Sequence, residues 1–258
     1  MPGHLEILAL PGIPQVRSGD DLAKLLLDAM KAAGLRLQLG DVIVLAQKIV
    51  SKAEGRTVRL AEVEPGDEAR QLAADTGKDA RLVQLILDES KDVVRVRKGA
   101  PGVIVVEHRR GWIHANAGID QSNVNSGDPG QWALLLPEDP DASAAALREA
   151  LHEQTGVWAG VLINDSFGRA WRVGTCGIAL GSAGITTAWD LRGQPDMFGR
   201  TLEVTVVGRG DELAAAASLV MGQAGEGTPA VLIRGLASEN STATAADLIR
   251  PREEDLFR

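Results

Sequence analysis

The chain has 258 residues, of which 45% are hydrophobic, and it carries a formal net charge of -8. This composition supports one large or two smaller buried cores. Acidic and basic residues are interspersed, which argues against a nucleic-acid-binding protein, because such proteins carry a basic face. Cys176 is the only cysteine, so an internal disulfide and a cysteine-rich zinc site are both excluded.

The sequence contains no sign of a membrane or export segment. No apolar run approaches the roughly 20 residues that a membrane-spanning helix needs, and residues 1–6 lack the basic flank of a signal peptide. We therefore expect a cytoplasmic protein with no membrane partner. Aromatic residues make up only 3% of the chain, so a base-stacking surface for single-stranded nucleic acid is not expected either.

Hydrophobic spacing in the first half of the chain predicts strands and helices in mixed order. Residues 18–21 cap the first helix, and Gly34 ends it. The predicted elements are strands at 5–10, 42–46, 93–97, 103–107 and 112–115, and helices at 22–30, 68–76 and 80–90.

The second half continues the same mixture. Its predicted elements are helices at 142–153 and 212–221, strands at 157–163, 174–184, 201–207 and 229–234, and a loosely docked polar tail at 239–258. Strands outnumber helices, and the regular strand–helix alternation of a Rossmann fold is missing. We therefore expect an α+β fold with mixed, largely antiparallel sheets. It forms a single unit over 1–258, with its core at about 5–236 and two interleaved lobes.

Three short polar segments each follow a β-type hydrophobic stretch. The segments are 51–56, 116–123 and 164–169, and the stretches before them are 42–50, 111–114 and 157–163. Side chains at strand ends are held by a rigid sheet yet face solvent, so sites are often built there. Together the segments supply one lysine, two aspartates and two arginines, which is an inventory for holding a nucleoside triphosphate and divalent metals. Ordinary turn chemistry is the alternative explanation for each segment alone.

Asp120 and Asp165 are the best candidates for binding a hard cation such as Mg²⁺ or Mn²⁺. Ser166 lies beside Asp165, and Ser122 and Asn123 follow Asp120, so further oxygen ligands are at hand. The alternative is that both aspartates only form turns.

Lys52 is suited to phosphate oxygens as a compact point charge, although an ordinary surface lysine would look the same. In the same segment, Glu54 and Arg56 can simply pair with each other. Arg169 is the second arginine of the three segments.

The glycine-rich segment 222–227 follows a predicted helix and precedes a predicted strand, so it is not a dinucleotide fingerprint. It is either a helix C-cap with a turn or a flexible loop whose backbone N–H groups, Gln223 and Glu226 contact a ligand. A P-loop sequence is absent. The four histidines show no metal-ligand spacing.

The three polar segments 51–56, 116–123 and 164–169, in this order, resemble the signature segments of the coenzyme F420:glutamate ligase family. The resemblance runs over about residues 5–236. Further matching segments are 19–22, 134–137, 196–200, 202–205, 211–212 and 231–236.

The resemblance implies a family-specific α+β fold and an intertwined homodimer. It implies GTP-dependent addition of L-glutamate to the glutamate-free deazaflavin precursor and then of further glutamate by γ-linkage. The implied path is an acyl phosphate, with release of GDP and phosphate. Two divalent ions, Mg²⁺ or Mn²⁺, are implied, and K⁺ is a further candidate ion. We expect the stand-alone form, without the C-terminal flavin-binding domain of some relatives.

The resemblance also assigns roles to residues. It makes Asp165, Asp120 and Lys52 catalytic. It places the metal ions on Asp120, Asp165, Ser166 and Gln223. It places GTP on Ile13, Pro14, Gln15, Val16, Gln47, Lys48, Lys52, Asn123, Gly222, Gln223, Gly225 and Glu226.

Two departures from the family pattern keep other functions open. Gln47 and Lys48 stand where the family carries small hydroxyl residues, and 172–174 reads Arg-Val-Gly where Arg-Arg-Gly is common. A nucleotide- and metal-binding relative that has lost ligation is therefore one alternative, and a metal-dependent phosphohydrolase is another.

Overall fold

The computed structural model describes residues 3–124 and 130–256. Residues 1–2 and 257–258 of the predicted unit lie outside this part of the chain. The strands are β1 Glu6–Ala9, β2 Val42–Ala46, β3 Thr57–Arg59, β4 Ser90–Arg97, β5 Val103–His108, β6 Ile113–Ala115, β7 Trp132–Leu134, β8 Gly160–Gly168, β9 Thr175–Ala183, β10 Ala188–Asp190, β11 Val206–Gly208 and β12 Ala230–Arg234. The α-helices are α1 Leu22–Ala32, α2 Gln47–Ala53, α3 Asp67–Thr76, α4 Ala80–Asp88, α5 Pro140–Thr155 and α6 Arg209–Met221.

The largest sheet has the strand order β1-β12-β2-β8-β9. Its neighbours are antiparallel except β2 and β8, which run parallel. Strand β2 and the first four residues of β8 are apolar and almost wholly buried, as parallel strands covered by helices on both faces are. The expected α+β fold with mixed, largely antiparallel sheets is confirmed.

Helices cover both faces of this sheet. On one face, side chains of α1 and α5 pack against Ile43, Leu45 and Val161. On the other face, α6 packs against Val44 and Leu162. The helices approach very closely. A Cβ atom on Gly177 of β9 would lie 2.3 Å from a backbone oxygen of α6, and one on Gly181 would lie 2.3 Å from a backbone oxygen of α5. The helices are therefore fixed directly against the strands that carry the polar segments.

A separate hydrophobic cluster forms between Leu60 and Leu135. It joins α3 and α4 to the sheet β4-β5-β6, and β3 pairs with β7 alongside it. The strands predicted at 103–107 and 112–115 are present as β5 and β6, which pair antiparallel as a hairpin around 109–111. This part of the chain leaves the main sheet after α2 and returns to it at α5.

The strand predicted at 201–207 is mostly wrong. Only Val206–Gly208 forms a strand there, and it pairs with β10 rather than with the main sheet. The alternating apolar side chains are not buried, since Val204 is 85% exposed. The alternating pattern therefore gave a wrong prediction, because its apolar residues lie on the protein surface and not in a core.

The prediction of a loosely docked tail at 239–258 is also wrong for the residues that the structure describes. Ala245 is buried, and its N–H donates to Oδ1 of Asp141 over 2.8 Å. Glu239 forms an ion pair with Arg209 of α6. The tail is polar because its side chains bind other polar groups. Within the described ranges, no helix combines the length and apolar character needed to cross a bilayer.

Candidate functional site

The parallel pair β2 and β8 brings together two distant segments of the chain. Their register places Ala46 beside Asn164. Because both strands run in the same direction, Gln47 and Asp165 follow at the same edge of the sheet. A β-bulge after Ile163 interrupts the pairing with β9 immediately before Asp165, and such bulges re-aim side chains next to sites. The carboxyl ends of parallel strands are the usual place for a ligand in α/β sheets.

Lys52 lies in the last turn of a helix, not at a strand end as the apolar run 42–50 predicts. Strand β2 ends at Ala46, and the chain turns directly into α2. Ser51 Oγ donates a 2.9 Å hydrogen bond to Oε1 of Gln47, four residues earlier. The apolar run continues through both elements because the helix buries its apolar side chains in the core beneath the sheet.

Asp120 is held opposite α2 by a two-hydrogen-bond bridge to Leu134. Its Oδ2 accepts a 3.1 Å hydrogen bond from Gln47 Nε2 and lies 3.3 Å from Lys48 Nζ. Burial is the largest influence on the pKa of Asp120 and raises it. The charge of Lys48 opposes this rise, and that of Asp165 adds to it. The two predicted metal carboxylates are therefore close enough to repel each other.

His114 of β6 joins this cluster, although its spacing in the sequence gave no metal signal. Its Nε2 lies 3.4 Å from Oδ2 of Asp165, and its ring packs edge-on against Phe167. Its Nδ1 lies 2.7 Å from the carbonyl oxygen of Ala115. The signal that could have identified it is position, since His114 lies on the short strand that leads into the 116–123 segment.

A chain of hydrogen bonds links Lys52 to the glycine-rich loop. Lys52 Nζ donates to the carbonyl oxygen of Asn123 over 2.6 Å. Asn123 Nδ2 donates to the carbonyl oxygen of Ala224 over 3.3 Å, and the N–H of Ala224 donates to Glu226 over 2.8 Å. Burial lowers the pKa of Lys52, and the charge of Lys48 lowers it further. The structure thus brings three of the predicted nucleotide contacts together.

The N-terminal nucleotide loop is only partly available for a ligand. Val16 is buried in the core and Ile13 packs against it, whereas Pro14 and Gln15 are exposed. The loop lies beside α2, because the N–H of Gly19 donates a 2.9 Å hydrogen bond to the last residue of that helix. The side chains of Val16 and Ile13 therefore stabilise the fold.

The remaining predicted contacts lie on the loop after α6 and on β8. Gly222 ends α6 with a φ of 72°, a conformation that favours glycine. Gln223 and Gly225 are exposed on the loop, and the hydrogen bonds of the described residues do not tie Gln223 to Asp120. Ser166 is half-buried and follows Asp165 on β8.

Arg56 does not serve the site and does not pair with Glu54. Its Nη2 lies 3.1 Å from Oε2 of the buried Glu89, and its Nε donates to the carbonyl oxygen of Leu136. Arg169 differs, because its Nη1 is buried without a hydrogen-bond partner. Of the two predicted arginines, Arg169 alone is left with unused donor capacity for an anion.

A cavity of about 270 Å³ adjoins the carboxylate cluster. Ile178, one of its walls, pairs directly across from Asp165, and Phe167 contacts His114. Its lining is mostly apolar, with two aromatic rings. The lining residues are Gly111, Trp112, Ile113, Phe167, Ile178, Ala179, Asp211, Ala245, Leu248, Ile249, Arg250 and Asp255.

The donor groups fit a divalent cation that takes the rest of its ligands from a substrate. The described residues hold no cluster of three or more His, Cys, Asp or Glu side chains placed to enclose a metal. Mg²⁺ sites that act on phosphates use one or two carboxylates, with phosphate oxygens and water completing the shell. Asp120 and Asp165 meet this need, and their mutual repulsion is what a cation between them would relieve.

Comparisons with known proteins identify the family of the chain. A family model described as F420-0:Gamma-glutamyl ligase matches residues 12–235. The protein named Coenzyme F420:L-glutamate ligase of Methanothermobacter thermautotrophicus is 47% identical over 256 residues, which covers 98% of this chain and 99% of the relative. Those of Methanopyrus kandleri and Archaeoglobus fulgidus are 45% and 42% identical and each cover 99% of this chain, with 100% and 97% of their own lengths matched. The chain therefore belongs to the F420-0:gamma-glutamyl ligase family and is a ligase.

Proposed function

We propose that this chain joins L-glutamate to F420-0, the glutamate-free deazaflavin precursor, at the expense of GTP, and then adds further glutamate by γ-linkage. The names of the relatives support the acceptor and the amino acid. The observation that carries the proposal is that Asp120, Asp165 and Lys52 all lie where the parallel pairing of β2 with β8 ends. This arrangement suits an anionic substrate with its metals.

The chemistry requires an activated carboxylate, because a carboxylate is a poor electrophile for an amine. An acceptor carboxylate oxygen attacks the γ-phosphorus of GTP. The new O–P bond forms while the bond to the β-phosphate oxygen breaks, releasing GDP. The glutamate nitrogen then attacks the acyl carbon, the C–O bond to phosphate breaks, and the nitrogen loses a proton. Amide, GDP and inorganic phosphate are the products.

Asp120, Asp165 and Ser166 would hold the divalent ions, joined by Gln223 once the exposed loop after α6 closes over the substrate. Such ions neutralise the triphosphate and the charge that develops on the transferred phosphoryl group. The two carboxylates come from different parts of the chain, so they also align the chain's two halves around the substrate. The Asp120 and Asp165 side chains are 28% and 12% exposed, so a bound substrate would need to complete the shielding from water, which would otherwise compete with the amine.

Lys52 and Arg169 are the cations that we assign to the substrate anions. Partial burial lowers the pKa of Lys52, and a phosphate oxygen nearby would favour its charged form. Arg169 has a buried, unpartnered Nη1 just beyond β8. We assign Lys52 to the triphosphate and Arg169 to a carboxylate or phosphate of the substrates.

Lys48 is one of the two residues that replace the small hydroxyl residues of the family, and its contacts show how the site accommodates it. Its Nζ lies 3.3 Å from Asp120 Oδ2 and 3.1 Å from Ser122 Oγ. The ammonium thus balances the Asp120 carboxylate. A divalent ion at Asp120 would displace it toward the phosphates, where its charge is equally useful.

The mostly apolar cavity beside Asp165 suits the flat deazaflavin ring of the acceptor. Trp112 and Phe167 offer aromatic faces to a planar ring. The indole N–H of Trp112 is buried without a hydrogen-bond partner, so it can donate to a ring carbonyl. The ring in this cavity would leave the charged end of the acceptor toward Asp165.

A homodimer is supported by exposed apolar side chains on two neighbouring irregular segments. Trp171, Val173, Met197, Phe198 and Val204 are each at least 85% exposed. Isolated exposed apolar residues are common, but large ones gathered in two short segments mark an interaction surface. Light scattering should give twice the 27.2 kDa mass of one chain. A single-chain mass at micromolar concentration would contradict the dimer.

The product formed from F420-0 decides the function. Protein, GTP, Mn²⁺, L-glutamate and F420-0 are combined, and the products are measured by mass spectrometry and by phosphate release. A glutamylated product with one phosphate released per amide bond supports ligation. Phosphate release without product indicates a phosphohydrolase. GTP binding with neither product nor phosphate release indicates a relative that has lost ligation.

A further inference from the structure

We infer that His114 is a direct ligand of the divalent ion at Asp165, and that it biases the site toward transition-metal ions over Mg²⁺. The inference rests on the proposed function, because it concerns the metal site proposed there. Nothing in the spacing of the histidines along the sequence indicates this role. It follows from the tautomer of the ring and from what faces each ring nitrogen.

The contact with Ala115 sets the tautomer of His114. A carbonyl oxygen can only accept a hydrogen bond, so the 2.7 Å contact requires the proton to be on Nδ1. In the neutral ring, Nε2 then carries a lone pair. Metal-binding histidines typically have this arrangement, with the second ring nitrogen donating to a backbone carbonyl or carboxylate.

The free nitrogen faces the carboxylate that we assign to the metal. Nε2 is buried, lies 3.4 Å from Oδ2 of Asp165 and makes no hydrogen bond. Two lone-pair donors that converge in this way leave room for a cation bound to both.

The surrounding groups hold the ring in place. Phe167 packs edge-on against the imidazole, with ring centroids 3.9 Å apart. Asp120 lies on the same side of the site, since its pKa responds to the charges of both His114 and Asp165. A ring fixed by packing and by a backbone hydrogen bond is ready to bind without rearrangement.

The choice of ligand determines the preference for a metal. Mg²⁺ takes oxygen ligands almost exclusively, whereas imidazole nitrogen suits transition-metal ions. We therefore expect His114→Phe to weaken Mn²⁺ binding about tenfold or more, and Mg²⁺ binding much less. Phenylalanine keeps a ring against Phe167 but has no nitrogen.

Electron spin echo modulation of bound Mn²⁺ tests the inference without any measurement of activity. The wild-type protein, with and without GDP, should show coupling to a directly bound ¹⁴N nucleus. Labelling the histidines with ¹⁵N should convert the pattern to that of ¹⁵N, which separates histidine from guanine nitrogen. His114→Phe should abolish the coupling, and the exposed His4→Gln should leave it unchanged.

Each remaining outcome is decisive. Mn²⁺ bound without histidine coupling, or with coupling that survives His114→Phe, overturns the inference and leaves the proposed function intact. Failure of the wild-type protein to bind Mn²⁺ at all overturns both the inference and the metal site of the proposed function. The labelling experiment uses the wild-type protein alone, so it tests the inference even if the His114→Phe protein fails to fold.

Discussion

Two buried clusters of charged side chains in this molecule have opposite balances of charge. In the first, Glu89 is surrounded by cations. Arg56 and Arg109 lie 3.1 and 2.7 Å from its carboxylate, and His108 lies 3.5 Å away. Burial alone would raise the pKa of Glu89, but His108, Arg56 and Arg109 outweigh it and lower the pKa.

In the second cluster, negative charge is in excess. Lys48 lies 3.3 Å from Asp120 and His114 lies 3.4 Å from Asp165, and burial and the charge of Asp165 raise the pKa of Asp120 despite Lys48. In a cluster that stabilises the fold, each buried charge is paired with an opposite charge of the protein itself. Two repelling carboxylates and an unpartnered imidazole nitrogen are instead typical of a site that binds a ligand.

Among substitutions that distinguish the two clusters, Asp165→Asn is expected to have the largest effect on activity. Losing a metal carboxylate should reduce ligation about a thousandfold or more, since such a metal supplies several kcal/mol to the transition state. The free energy of unfolding should change by about 1 kcal/mol or less, because the substitution also removes the repulsion from Asp120. Product formation and chemical denaturation measure the two effects.

Asp190→Asn is the matched control, since Asp190 is half-exposed and pairs with nearby Arg192. It should leave ligation unchanged. An Asp165→Asn protein with near-normal turnover would mean that the charge excess at this edge has no catalytic use.

Glu89→Ala should produce the reverse pattern. It leaves Arg56 and Arg109 close together without their carboxylate, and such losses cost about 3–5 kcal/mol of unfolding free energy. Ligation per folded molecule should be retained. Glu64→Ala is the control, because Glu64 is 93% exposed and its ion pair with Arg70 is worth about 1 kcal/mol or less. Equal destabilisation by both substitutions would refute a structural role for the Glu89 cluster.

Much of the site could be predicted because apolar strands are visible in a sequence. The strands predicted at 42–46 and 157–163 pair in parallel as β2 and β8, and this pairing brings Gln47 and Asp165 to the same edge. Asp165 itself lies inside β8, which continues to Gly168, and not at a strand end as its apolar run predicts. Arg56 could not be placed in the same way. Its partner Glu89 lies 33 residues away in another element, and charge alone does not reveal which carboxylate an arginine will meet.

The role of His114 could not be predicted from the sequence either. Its role depends on a neighbour across β6 and β8, and on a hydrogen bond to the backbone at Ala115. Neither leaves a periodic signal. The tail was mispredicted for a related reason, because its polar composition reads as solvated although Glu239 pairs with Arg209 and the backbone N–H of Ala245 donates to Asp141. Sequence patterns report burial of apolar groups far better than they report pairing of polar ones.

Lys52 tests whether the site also contains a cation for the triphosphate. Lys52→Ala should remove a charge-assisted contact worth roughly 1.5–3 kcal/mol, which is a ten- to hundredfold increase in the GTP concentration required. The glutamate requirement should change little. Lys52→Arg should not restore the GTP response, because a planar guanidinium does not fit a compact ammonium site.

Lys78→Ala is the control for Lys52, since burial lowers the pKa of both lysines but Lys78 follows α3, away from the site. Steady-state kinetics with GTP and glutamate varied separately distinguish the cases. If Lys52→Ala and Lys78→Ala behave alike, the triphosphate lies elsewhere, and Arg169 becomes the leading candidate.

The smallest expected effect is a dependence of stability on pH at Glu89. Its pKa is lowered in the folded state, so the unfolded chain binds a proton more readily. The stabilisation is complete above the ordinary glutamate pKa of about 4.3, and it is lost as the pH falls through the lowered value. Glutamine at this position cannot titrate. The difference in unfolding free energy between the wild-type protein and Glu89→Gln should therefore be greatest near neutral pH and shrink in acid. Urea denaturation at a series of pH values measures it, with Glu64→Gln as the exposed control. A difference that stays constant down to about pH 3 would show that the cations around Glu89 do not hold it ionised, and the contrast between the two clusters would fail.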